Sequence, residues 1–66
     1  MEFAERLKQL MKETNTSQQM LAQNIGYTQR AVSKWINAQA EPTATAVVAC
    51  AKYFGVTTDY LLGLED

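Results

Sequence analysis

Five side chains between Gln29 and Asn37 share one chemistry: Gln29, Arg30, Ser33, Lys34 and Asn37 all donate hydrogen bonds, and none is an acid. On a helix advancing about 100° per residue they fall within one arc of about 140°. Ala31, Val32 and Trp35 occupy the opposite side, and Ile36 lies at the border beside Gln29. A glutamine amide matches the N6/N7 edge of adenine, while Arg and Lys match guanine O6/N7 or a phosphate oxygen. Such a strip suits a partner rich in acceptors and negative charge. The plainer alternative is a solvated surface helix, but such helices usually mix Glu with Lys, and here the acid is missing.

The strip needs a scaffold, and the residues before it supply one. Gln18–Asn24 and Gln29–Ile36 are two short helical patterns joined by Ile25-Gly26-Tyr27. Gly26 stands where an abrupt reversal needs a positive φ or a close backbone approach. Ala22 faces that turn and is small enough for two helix axes to cross closely. Val32 and Trp35 are the apolar anchors that pin the second helix to the body. This is the sequence form of a helix-turn-helix, whose second helix can lie in a DNA major groove. Thr28 is placed to cap that helix, and Tyr27 before it to staple onto Val32. Ser17 caps the helix before it, which puts Gln18 at a first position whose free amides can meet a phosphate oxygen. A plain surface role is the alternative for Gln18.

The remaining chain reads as three more helices. Phe3, Leu7, Leu10 and Met11 recur at helical spacing within Met1–Glu13, and Asn15 is a residue that tolerates a left-handed C-cap. Residues 38–42 form a loop ending at the only proline. Thr43 then caps Ala44–Phe54, with Val47, Cys50, Ala51 and Phe54 on one face, and Gly55 closes it. Val56 re-enters the core, and Thr57 caps a short fifth helix through Tyr60-Leu61-Leu62 before Gly63. The predicted fold is therefore all-α, a single five-helix domain over residues 1–66 with helices 2 and 3 as the helix-turn-helix. A chain of 66 residues buries only about 60% of its unfolded surface, so its core is modest.

Composition narrows the function. No apolar run approaches the roughly 20 residues of a membrane span, and the charged N-terminus is no signal peptide, so a cytoplasmic location is expected. One cysteine and no histidine exclude a disulfide framework and a zinc site; Cys50 reads as a small core residue. The three dispersed glycines form no phosphate-cradling loop. No carboxylate pair sits at a useful spacing, and Glu65-Asp66 fall at what reads as a frayed end. Neither an enzyme, nor a cofactor, nor a small-molecule ligand is expected. The net charge of −1 is unusual for a nucleic-acid binder. Its distribution is not: no acid occurs from Thr14 to Ala40, and charges beyond about 8 Å are screened at physiological salt. The low total predicts weak non-specific binding.

The spacing of Gln18, Ala22, Gly26, Val32 and Trp35, followed by Asn37 and Pro42, resembles the phage repressor/Cro (XRE-like) family of helix-turn-helix regulators. The flanking ERLKQL and YFGVTTDYLLGLED segments are similar to that family too. The resemblance implies a five-helix domain that binds duplex operator DNA, commonly as a homodimer on a two-fold site. By position, Gln29, Arg30, Ser33 and Lys34 would face base edges, while Gln18, Thr28 and Asn37 would meet phosphates. It implies a transcriptional regulator of phage- or prophage-repressor type, acting by occupying an operator and blocking polymerase. A protein-binding module on the same scaffold, antitoxin- or antirepressor-like, is the alternative; the apolar run Tyr60–Leu64 could serve it or a homodimer. Two departures matter. Many relatives pair an Arg in helix 1 with a Glu late in helix 3, where this chain has Met11 and Ile36, so these two are predicted to touch. The loop after helix 3, commonly Asn-Gly followed by basic residues, is here Asn37-Ala38-Gln39-Ala40. A left-handed Ala38 would cost about 1 kcal/mol, and each missing phosphate contact lowers the salt slope by roughly 0.9.

Overall fold

The computed structural model describes residues 1–66, and they form five α-helices: α1 (Phe3–Glu13), α2 (Gln18–Ile25), α3 (Gln29–Ile36), α4 (Ala44–Phe54) and α5 (Thr58–Leu61). Each of α2 to α5 starts on the hydroxyl its sequence offers. Ser17, Thr28, Thr43 and Thr57 accept from the amides of Met20, Ala31, Ala46 and Tyr60 at 3.0–3.1 Å, satisfying an amide the first helical turn leaves unpaired. The exception is α1, which begins at Phe3 and not at Met1. Glu2 precedes it without a side-chain cap bond; its carboxylate lies 3.4 Å from the Arg6 guanidinium instead.

Thirteen apolar residues form one core, with Phe3, Leu7, Leu21, Val32, Cys50 and Leu61 almost wholly sealed from solvent. The helical spacing of each segment delivers these residues to one side: Phe3, Leu7, Leu10 and Met11 from α1, Leu21 and Ala22 from α2, Ala46, Val47, Cys50 and Ala51 from α4. Met11 belongs to this cluster and Ile36 packs against it, so both apolar replacements of the family's ion pair lie on the core side. When both partners of a buried pair change together, no charge is stranded. The one buried polar residue, Thr16, shares a 2.6 Å hydrogen bond with the Thr14 hydroxyl.

The C-terminal tail is held down, where the sequence suggests fraying. Arg6 stacks over the Tyr60 ring, 4.5 Å from its centroid, and donates to the Glu65 carbonyl at 2.9 Å. Thr57 also donates to the Glu65 carboxylate. Spacing hides the main tie because Arg6 and the tail it holds lie at opposite ends of the chain.

Ala38 ends α3 with φ +56°. The amides of Ala38 and Gln39 close the turn on the carbonyls of Trp35 and Lys34 at 3.1 and 2.8 Å, the double bond of a Schellman ending. A Cβ in the left-handed region is strained. Ala38→Gly should therefore raise stability by about 1 kcal/mol, seen as a Tm higher by about 4–8 °C in a domain this small.

Burial pushes the Cys50 thiol up from 9.0 to about 11. The folded chain thus keeps a proton that the unfolded chain releases sooner. The stability tied to it is intact below pH 9.0 and drains away as pH rises through about 11. Urea titrations across that window should show a smaller alkaline loss in Cys50→Ala than in the wild type.

Candidate nucleic-acid interface

The interface is built on the turn between α2 and α3. Gly26 adopts φ +77°, and its amide and that of Tyr27 both donate to Ala22 O at 3.0 Å. The chain can then reverse at once, and Ala22, only 3% exposed, lets the two helices approach. Thr28 restarts the chain as α3.

Trp35 fixes the roll of α3. Its ring meets Phe3 of α1 edge-on at 6.2 Å between centroids, and Tyr27 of the turn at 5.2 Å. Aromatic pairs favour this perpendicular arrangement. Tyr27 thus has an aromatic contact with Trp35, one the staple pattern does not specify. Val32 is fully buried beside it.

With that side held, the other faces outward. Gln29, Arg30, Lys34 and Asn37 are exposed and Ser33 is half-buried. The only ion pairs in the domain are those of Arg6 with Glu2 and Asp66, so the cations of Arg30 and Lys34 are unpaired. Gln18 is half-buried at the first position of α2. The Thr28 oxygen accepts from Ala31 N at 3.1 Å, which leaves its O–H proton available. Asn37 differs from the rest. Its Nδ2 donates to Ser33 O at 2.9 Å and lies 3.4 Å from Ser33 Oγ. Helix periodicity places Ser33 and Asn37 on one face, but it gives no indication that the amide turns back on the helix.

An all-α domain with a capped, glycine-turned helix pair and an outward acid-free second helix is a helix-turn-helix domain. Residues 7–61 match the family described as Helix-turn-helix, and the chain belongs to that family, of XRE type. It is similar to an HTH-type transcriptional activator, BcrR, of Enterococcus faecalis, with 36% identity across 100% of this chain. The chain spans 32% of that relative's length. No solved structure gives a significant match. No helix is long and apolar enough to cross a membrane.

Removing the Trp35 ring should undo the site through the fold. Trp35→Ala is expected to cost about 3–5 kcal/mol, comparable to what a core this small supplies. Far-UV circular dichroism in urea should show it largely unfolded, while Trp35→Phe keeps most of the edge contacts and stays folded.

Proposed function

We propose that this domain is a sequence-specific duplex-DNA-binding regulator of transcription that inserts α3 into the major groove. One observation carries the reading: α3 is clamped from behind by Trp35 and Val32, and presents two unpaired cations, the Gln29 amide and the Ser33 hydroxyl on an acid-free face. Eight residues of helix span about 12 Å, comparable to the major-groove width of about 12 Å. Gln29, Arg30, Ser33 and Lys34 read base edges. Gln18, at the N-terminus of α2, and the Thr28 hydroxyl meet phosphates on either side.

The domain acts in the cytoplasm as a homodimer, at least on DNA, placing two copies of α3 on a two-fold operator. Supporting this are the apolar side chains left on the surface outside the polar face of α3, among them Met1, Val48 and Leu64. It blocks polymerase by occupancy, in the manner of a phage- or prophage-type repressor. The activator named above is about three times as long as this sequence, and its sign of regulation is a property of that whole protein. The same exposed apolar residues would serve a protein partner. A pulldown that retains a protein, from a domain showing no salt-sensitive DNA binding, would favour that role.

Selection from a random duplex library, followed by gel shifts on base-substituted sites, tests the assignment. Gln29→Ala and Arg30→Ala should each lose about 1–3 kcal/mol at a single base pair, and Gln18→Ala should weaken every sequence alike. Uniform losses from Gln29→Ala would remove it from the reading face. Sedimentation should show two protomers on each enriched duplex; one protomer per duplex would count against the dimer.

A further inference from the structure

We propose that Asn37 is a positioning residue for Ser33: its side-chain amide holds the Ser33 hydroxyl as a donor toward the base edge and does not itself clamp phosphate. The inference rests on the DNA-reading role of α3 and refines what Ser33 and Asn37 each contribute to it.

Asn37 follows the last residue of α3, and its Nδ2 faces Ser33 one turn back, 2.9 Å from the carbonyl and 3.4 Å from Oγ. The orientation of the amide is fixed by chemistry. A carbonyl oxygen can only accept, so the atom against Ser33 O must be the nitrogen. The same carbonyl takes the Asn37 backbone amide at 3.1 Å, so both of its lone pairs are engaged. The bond belongs to the ending of the helix and is not a chance surface contact.

Two consequences follow. First, the donors of Asn37 point at its own helix. The atom left over is Oδ1, an acceptor, which repels a phosphate oxygen. A residue that looks like a phosphate ligand by position has its nitrogen engaged elsewhere. Second, an amide nitrogen can only donate, so Ser33 Oγ accepts in the longer contact and keeps its O–H proton free. Serine in a helix often turns that proton back onto the carbonyl four residues earlier. Ser33 makes no such bond to Gln29 O. A half-buried hydroxyl with one lone pair occupied and its proton free is biased toward acceptors: purine N7, guanine O6 or thymine O4, and away from the cytosine N4 donor. Asn37 thus gives the otherwise ambivalent Ser33 a direction.

The test is selection from a random duplex library with the wild type, Ser33→Ala, Asn37→Ala and the double variant, each confirmed folded by circular dichroism, with binding then measured against salt. The expected result is that Ser33→Ala and Asn37→Ala relax the same single base-pair position. Asn37→Ala should lose about two- to tenfold there, with other positions and the salt slope unchanged, and the double variant should be no worse than Ser33→Ala. Uniform weakening by Asn37→Ala with a salt slope lower by about 0.9 would show a phosphate contact and overturn the inference. So would relaxation at a different position, or an unchanged motif. In those three outcomes the wild type still enriches a sequence, so the reading of α3 survives. A wild type that enriches none overturns that reading and this inference with it.

Discussion

The orientation of α3 depends on one ring. Trp35 lies between Phe3 of the first helix and Tyr27 of the turn, meeting both edge-on. A helix of eight residues is too short to hold itself in water, and its roll about its own axis is set only by what grips one side. The grip of Trp35, with Val32 buried beside it, decides which side chains face out. The two caps and the left-handed Gly26 set where α3 begins and at what angle. The rest of the domain supplies Trp35 with neighbours.

Electrostatics complete the arrangement. The domain is acidic overall, with six cations against seven acids, yet the charges are segregated. Arg6 is committed to Glu2 beside it and, through Tyr60, Glu65 and Asp66, to the tail, while Arg30 and Lys34 stand on α3 without a counter-charge. Because exposed charges are screened beyond about 8 Å at physiological salt, the potential on this face follows its own residues more than the net charge of the domain. Few cations also mean little sequence-independent attraction. Discrimination by such a face then leans on hydrogen-bond geometry, and small devices such as a directed hydroxyl acquire weight.

Local features were legible in the sequence because local chemistry causes them. The four hydroxyl caps, the left-handed Gly26 and Asn15, and the bounds of α3 and α4 are written in single residues and short spacings. Ala38 could be marked as strained from its place alone. Contacts across the chain were not legible. The aromatic partner of Tyr27 is Trp35, because both rings converge where α1 crosses α3, and no spacing rule encodes that crossing. The tail looked loose because its partner Arg6 lies 59 residues away. The candidate residues of α3 share the outward face that their spacing predicts, yet the conformation of one was not legible. Periodicity places Asn37 beside Ser33 but does not say whether its amide points to solvent or to its own helix.

The most direct test of the central claim is to titrate an enriched duplex into isotopically labelled domain and follow the amide and side-chain NMR signals. The account predicts that the shifts concentrate on Gln18 and on Thr28 through Asn37, with the signals of Val48 and Leu64 changing only as dimerisation requires. Shifts concentrated on Met1, Val48 and Leu64, with α3 silent, would contradict it.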